Sequence, residues 1–416
     1  MPSQALRVGV VADDLSGAAD TAVQFVRAGE EIVLVRLGGE VPAAPAGLGL
    51  AIDTQTRGCD PAEAVRRVET AAGILRRSRP DLVYHKIDSQ LRGRPGLEIE
   101  TLRRALGLRC ALVAPAHPGH DRVTLGGMHL VRGVPAAEGE AGRDPVAPVR
   151  ESRLPELLAQ QAGVTVAHVH RGDLEGDPGS LGRKLEGLRG EGHRLISFDV
   201  TTPQHLDRIA EVATGRLAGA LLAGSAGLAT ALASRLRPGD AARSEAPSCA
   251  SMLLVCGSAS RSLRRQVAFL LERRRCQRVT LSASGLAGEE LRALGLVAAD
   301  AWEACDLVVQ APEERLETAT APASILAALA ELSLALVAQR RPDALFLCGG
   351  DTARTVLGAA GACCIGLRGE VVPGAPWGAV RGGVLDGVTV VTRSGAFGTD
   401  EDLLAVHRRC RRDGVI

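Results

Sequence analysis

Acidic, basic and hydroxyl side chains recur in this chain where an apolar run gives way to a turn, which is where a parallel sheet presents its ligands. Asp13 and Asp14 follow the run at 6–12 and precede a small-residue helical stretch whose apolar positions include Ala22, Val23 and Val26. A carboxylate there can accept hydrogen bonds from substrate hydroxyls or serve as a general base. The competing role is capping, since acidic residues are favoured at helix N-termini. His85, Lys86, Asp88, Ser89 and Arg92 crowd into 85–93, just after the run at 81–86 and next to a Gly/Pro turn. Lys86 and Arg92 can hold a substrate carboxylate or neutralise a transferring phosphoryl group, Arg being the better bidentate partner, and Asp88 can orient a hydroxyl. A self-paired, solvated turn would use the same residues. Arg57 follows the run at 48–53 and reaches the same sheet edge, so polar groups from three strand ends point to convergence on one pocket.

The second half carries another pattern. Gly257 and Ser258 separate the run at 251–256 from a helix with Leu263, Val267, Leu270 and Leu271, and Gly349, Gly350, Asp351 and Thr352 repeat the strand, turn, helix arrangement after 343–348. Outward-pointing N–H groups at such a helix start form an anion site, glycines allow close approach, and Ser258 adds a hydroxyl donor. Ser260 is placed to cap the helix. Gly395, in the turn 394–398 after the last strand-like run, adds a third such loop. The chain has neither a GxxxxGK[ST] loop nor a GxGxxG fingerprint, so general motifs leave the nucleotide class open and give a dehydrogenase no support. His117 and His120 are flanked by prolines that disfavour an aligning helix, so a loop is expected there rather than a metal site.

The elements that must position these groups are short apolar strands alternating with helical patterns: 6–12, 31–37, 48–53, 81–86 and 110–115, then 251–256, 306–311, 343–348 and 387–392. Continuous apolar runs fit strands covered on both faces, so the fold class is α/β, with two domains and mainly parallel sheets. One helix starts at a capping-box-like Asp60, Pro61 and Glu63, carries a stripe of Val65, Val68, Ala72 and Leu75, and ends near Pro80. A stretch rich in Pro, Ala, Ser and charge at 237–250 reads as a linker between a domain at 1–236 and one at 251–416, as 416 residues require. A net charge of +1 and only eight aromatic residues (two Trp, one Tyr, five Phe) argue against nucleic-acid binding. No apolar run approaches the roughly 20 residues of a bilayer span and the start lacks a signal peptide's apolar region, so no membrane role and a cytoplasmic location are expected. The ten cysteines are scattered without a CxxC pair, which predicts reduced thiols, the adjacent Cys363 and Cys364 included. A homodimer is the expected assembly, as the commonest symmetric one.

The motifs resemble those of the four-carbon acid sugar kinase family over nearly the whole chain. ADDLSGA at 12–18 is similar to the family's ADDLTGA, KIDSQLRG at 86–93 to KIDSTLRG, and 133–152 to its long proline-rich segment; GSAS at 257–260, GGDTA at 349–353 and SGAFG at 394–398 resemble its nucleotide-domain signatures. The resemblance implies phosphorylation of threonate, erythronate or 3-oxo-tetronate by ATP with Mg²⁺, in a cleft between an N-terminal sugar-acid-binding domain and a C-terminal nucleotide-binding domain. By the same resemblance Asp13, Asp14, Arg57, Lys86, Asp88, Ser89 and Arg92 would bind the acid. Ser258, Gly349, Gly350, Asp351, Thr352 and Gly395 would contact ATP. Catalysis would fall to Asp14 or Asp88 as base, with Lys86 offsetting phosphoryl charge and Arg92 fixing the substrate carboxylate. Gln90, Arg94 and Ala396 stand where the family often has Thr, Asn and Asn, which bears on the choice of acid and motivates the alternative of a sugar-acid or nucleotide sensor without phosphoryl transfer.

Overall fold

Val8–Ala12 has no polar side chain to turn toward water, so as a strand it must be covered on both faces. In the computed structural model all five of its residues are buried, as are all five of Gly49–Asp53, Met252–Cys256 and Ala344–Cys348. The structure describes residues 7–26, 32–36, 49–215, 219–236, 245–258, 260–282, 286–312, 321–395 and 398–411. These form two compact units: the first takes in the described residues of 1–25, 32–38 and 43–241, the second those of 242–416 together with Val26.

In the first unit the strands are β1 (Val8–Ala12), β2 (Ile32–Arg36), β3 (Gly49–Asp53), β4 (Leu82–Lys86), β5 (Ala111–Ala114), β6 (Arg122–Leu125), β7 (Met128–Val131), β8 (Val134–Pro135), β9 (Val166–Val169), β10 (Leu195–Phe198) and β11 (Leu221–Gly224). The helices are α1 (Leu15–Ala22), α2 (Pro61–Ser78), α3 (Pro95–Ala105), α4 (Leu154–Ala162), α5 (Arg171–Glu175), α6 (Pro178–Gly190), α7 (Pro203–Thr214) and α8 (Ala226–Leu236). The main sheet runs β2-β3-β1-β4-β11-β5-β10-β9, every neighbouring pair parallel. After β1 the chain builds β2 and β3 on one side, then crosses to β4 on the other, so the topological switch lies beside β1, where ligands bind in open α/β sheets.

The predicted helix after the third strand is α2. Asp60 caps it through the amides of Ala62 and Glu63, both at 3.1 Å, and Arg79 closes it in the left-handed region at φ 47°. Its buried face is Ala64, Val68, Ala71, Ala72 and Leu75, so the stripe is centred slightly away from Val65. A second, antiparallel sheet, β6-β7-β8, follows the turn around His117 and His120 and was not anticipated from the sequence. Its hairpin turns on Gly126 and Gly127, at φ 59° and 79°, a Gly-Gly signal between two β-rich runs.

The second unit holds β12 (Met252–Cys256), β13 (Cys276–Thr280), β14 (Asp306–Gln310), β15 (Ala344–Cys348), β16 (Cys364–Glu370), β17 (Pro376–Arg381) and β18 (Thr389–Arg393). Its helices are α9 (Arg261–Leu271), α10 (Gly288–Ala304), α11 (Ala321–Gln339), α12 (Gly350–Ala359) and α13 (Asp402–Cys410). Strand order is β13-β14-β12-β15-β18-β17-β16, parallel as far as β18 and antiparallel beyond it. Of the stretch that reads as a linker, 237–244 lies outside the described residues. Its end belongs to the second unit: Cys249 is buried in that core and donates its N–H to the Cys410 carbonyl at 2.7 Å.

One expectation from hydropathy is corrected. Pro322–Gln339 of α11 is long and apolar enough to cross a membrane by length and composition, with a mean hydropathy of 1.6. Here α11 packs on α10 and α12 along one face that buries Leu329, Leu332, Ser333 and Leu336, while 33% of the apolar stretch is buried. All ten cysteines are free thiols, Cys363 and Cys364 among them.

Candidate active site

The loops after β1, β3 and β4 meet because their strands are neighbours in the first sheet. Asp14 caps α1, its Oδ1 accepting the Gly17 amide at 3.2 Å, and the same oxygen accepts Arg57 Nη2 at 2.7 Å. The cap anticipated for this position is therefore observed, and the same carboxylate faces the Arg57 guanidinium. Arg57 also grips Asp13, with Nε to Oδ2 at 2.7 Å and Nη2 to Oδ1 at 2.9 Å. Burial raises the Asp13 pKa, Arg57 opposes the rise, and the negative charges of Asp14 and Glu98 add to it.

Asp88 is held differently. Burial pushes its carboxyl up, but the charges of Arg92 and Arg57 outweigh that and keep it well below the usual carboxylate range. Arg92 donates Nε and Nη2 to the two Asp88 oxygens at 2.8 and 3.1 Å, and its remaining nitrogen, Nη1, reaches Asp144 Oδ2 at 3.3 Å. Asp144 lies in the proline-rich segment at 133–152 and is itself fixed by the amides of Val146 and Ala147. Each guanidinium nitrogen of Arg92 thus holds a protein carboxylate, while Nη1 and Nη2 each retain a second N–H.

Four groups at this edge have no such commitment. Among the described residues the Lys86 ammonium, only 7% exposed as a residue, makes no hydrogen bond or ion pair. A methyl added at Gly17 would lie 2.8 Å from its Nζ, which places the ammonium over the first turn of α1. There it adds to the positive end of a helix dipole, a combination that calls for an anion. Arg57 Nη1, the Ser89 hydroxyl and Asp14 Oδ2 likewise have no hydrogen-bond partner among the described residues. Gln90 is buried in the same loop. Arg94 turns away, donating Nη1 to the Cys59 carbonyl. His117 and His120 stack edge to face with centroids 4.3 Å apart, on a 3-10 turn as the prolines predict.

His129, on β7, was not singled out by sequence. It supports the loop from below: Nε2 donates to the Ser89 carbonyl at 2.8 Å and Nδ1 accepts from Thr124 Oγ1 at 3.0 Å. Burial lowers its pKa to about 4, against the pull of the Ser89 carbonyl and Asp88. A histidine whose folded pKa is depressed leaves stability intact above its unfolded pKa, near 6.5, and removes it as pH falls toward the folded value. Protonating His129 is thus expected to cost on the order of 3 kcal/mol by pH 4, with His117, also lowered to about 4, adding to the loss. Melting temperature followed from pH 7 to 4 checks this: His129→Gln should give a flatter profile than wild type, and an unchanged slope would contradict it.

In the second unit the loops after β12, β15 and β18 meet on three adjacent parallel strands. Ser260 caps α9 through Leu263 N at 3.1 Å and also donates its hydroxyl to the Gly395 carbonyl, tying the first loop to the third. Gly349 sits at φ 109°, a conformation side chains rarely adopt, and its N–H bonds the Arg393 carbonyl at 2.8 Å. A methyl there would lie 3.1 Å from Thr352 Oγ1 and 3.9 Å from Ser258 N, so the missing side chain leaves a cradle lined by backbone amides and the N-terminal turn of α12. Gly350 opens that helix, Thr352 is buried beneath it, and Asp351 points outward, 75% exposed and paired with Arg354 at 3.3 Å. Ala396 lies outside the described residues.

A methyl on Gly395 would run into the Ser258 side chain. Overpacking of that kind costs about 1–3 kcal/mol. For a cradle that holds ATP, as the resemblance implies, Gly395→Ala is therefore expected to abolish any stabilisation by ATP with Mg²⁺ in a melting assay while sparing stabilisation by a four-carbon acid; an undiminished ATP shift would contradict that placement.

Two family models match in tandem: a sugar-binding N-terminal domain over residues 8–232 and a nucleotide-binding C-terminal domain over 253–403. A protein of Salmonella typhimurium strain LT2 named D-threonate kinase is 33% identical, the match covering 96% of this chain and 97% of that protein. One of Heliobacterium modesticaldum named D-erythronate kinase is 28% identical over 95% and 94%, and further relatives at lower identity are named 3-oxo-tetronate kinase. A solved structure of another Salmonella typhimurium LT2 protein shares the fold, with a TM-score of 0.82 at 24% identity, over 97% of this chain and 99% of that one. The tandem order of the two domains, and a relative matched almost end to end, agree with the motifs placed at the two sheet edges: the chain belongs to the four-carbon acid sugar kinase family.

Proposed function

We propose that the chain transfers the γ-phosphoryl group of ATP to a hydroxyl of a four-carbon acid sugar. The observation that carries the reading is the set of uncommitted groups at the first sheet edge. Among the described residues Lys86 Nζ, Arg57 Nη1 and Ser89 Oγ are donors without acceptors, and Asp14 Oδ2 is an acceptor without a donor. An anionic polyol supplies what each lacks: a carboxylate for the cations, and a hydroxyl whose proton Asp14 can take.

Asp14 is the better base of the two carboxylates the motifs leave open. Asp88, with its pKa held down and both oxygens bonded to Arg92, has little tendency to accept a proton. Asp14 is less buried and has one oxygen clear. Lys86 then offsets charge that develops on the transferring phosphoryl group, a stabilisation largest in a desolvated site. Arg57 and Ser89 orient the acid, and Arg92, braced by Asp144, keeps Asp88 and the loop in place. In the second unit the amides around Gly349 and Gly350, with the hydroxyls of Ser258 and Thr352, fit a polyphosphate. Mg²⁺, bound through the phosphates, would neutralise part of their charge, and Asp351 is the exposed carboxylate of that loop cluster.

Among acids, D-threonate is the first candidate, because relatives named D-threonate kinase match at 33–34% identity whereas those named for the other two acids match at 24–29%. ADP release from ATP and Mg²⁺ across D-threonate, D-erythronate, 3-oxo-tetronates and longer aldonates tests the reading. Turnover is expected to be highest on D-threonate. ATP-induced stabilisation without turnover on any acid would favour the sensor alternative, and stabilisation by NAD(P) instead of ATP would exclude a kinase.

A further inference from the structure

Asp199, just past β10, stands outside the groups above. His168 and His170 alternate along the end of β9, so both rings fall on one side of the strand and stack edge to face with centroids 4.9 Å apart. We propose that His168, His170 and Asp199 bind a single divalent transition-metal ion.

The Ser197 hydroxyl lies 3.2 Å from the Ala167 carbonyl and 2.9 Å from His168 Nδ1; where it donates to the carbonyl it accepts from Nδ1, which then carries the proton. The other ring nitrogen, Nε2, then faces Asp199 Oδ1 across 3.0 Å with a lone pair. Two acceptors facing each other at that distance require a cation between them, either a second proton or a metal. A separation of 3.0 Å is also what two ligands about 2.1 Å from one ion subtend at a right angle. His170 decides for the metal: its Nδ1 lies 3.7 Å from the other carboxylate oxygen, and the three ligand atoms all lie within 4.8 Å of one another.

The surroundings suit the role. Ser197 orients His168 as outer partners of ligating histidines do. Asp199 is buried, and its Oδ2 is held in place by the Arg171 amide at 3.1 Å. His170 is exposed, 68% by its side chain, so remaining coordination positions open to water. It also caps α5 by accepting the Asp173 amide, a bond the ion would replace. Two imidazoles and one carboxylate select zinc, cobalt or nickel over magnesium or calcium. The other comparable group, Cys276, Asp306 and His407, is already supplied with a cation: Arg411 Nε lies 3.1 Å from Asp306 Oδ2, and burial and Asp306 push the Cys276 thiol up to about 12.

An ion here would act on the fold rather than on chemistry. Asp199 Oδ1 also accepts the Gly127 amide at 2.9 Å, at the hairpin of the small sheet whose β7 carries His129 under Ser89. Binding would therefore staple the small sheet to the main one.

The full chain, stripped with a chelator, is titrated with Zn²⁺ by calorimetry and with Co²⁺ by visible absorption. Expected are one ion per chain and a melting temperature raised by about 2 °C or more at saturation. His170→Ala should weaken binding at least tenfold and cancel the shift relative to its own metal-free form, while Cys276→Ser binds as wild type. Absence of saturable binding would mean that a proton alone bridges His168 and Asp199, overturning the proposal. Equal binding by His170→Ala, or loss of binding in Cys276→Ser, would overturn it by placing the ion elsewhere.

Discussion

Asp14→Asn is expected to lower kcat by about 10²–10⁴-fold, the range for loss of a general base, while the protein stays folded and binds the acid. Asparagine can still cap α1 with its side-chain oxygen, so Gly17 keeps its acceptor and only the basic oxygen is lost. The contrasting variant is Asp88→Asn. Asp88 is buried against Arg92 and carries that guanidinium on two oxygens, so its neutralisation leaves Arg92 partly unpaired and should appear chiefly as a lower melting temperature. Steady-state kinetics and melting on both variants separate the roles. A large kcat loss in Asp88→Asn with Asp14→Asn near normal would reverse the assignment.

Lys86→Met should cost about 10²–10³ in kcat, comparable to removing one donor aimed at transition-state charge. Its distinguishing feature is what it leaves alone. Because the buried ammonium has no hydrogen-bond or ion-pair partner among the described residues, its removal breaks no such bond there, and an apolar chain of similar length suits the position better. The melting temperature of the ligand-free variant is expected to equal or exceed that of wild type, while stabilisation by the acid shrinks. A destabilised Lys86→Met with unaffected kcat would show the lysine to be structural.

The α/β class was legible because fully buried parallel strands read as unbroken apolar runs; those at 6–12, 48–53 and 251–256 contain the strands Val8–Ala12, Gly49–Asp53 and Met252–Cys256. The residues of both loop clusters were legible for a related reason, since polar residues just past a parallel strand have only the sheet edge to occupy. What local pattern does not record is who bonds whom. Arg57 reaches Asp13 across 44 positions and Arg92 reaches Asp144 across 52, so the commitment of Arg92 to two carboxylates could not be read from KIDSQLRG. His129 was missed because a lone histidine in a β-rich run resembles any core residue, although the neighbouring Gly-Gly marks the hairpin that carries it. The apolar helix α11 was passed over because Glu331 and several alanines blur its run, yet a helix averages hydropathy over its whole length.

Phosphoryl transfer itself is the central claim, and ³¹P NMR of the protein with ATP, Mg²⁺ and D-threonate tests it most directly. The account predicts a phosphomonoester resonance that grows in step with ADP and is absent without the acid; ADP accompanied only by inorganic phosphate, or no consumption of ATP with any four-carbon acid, would contradict it.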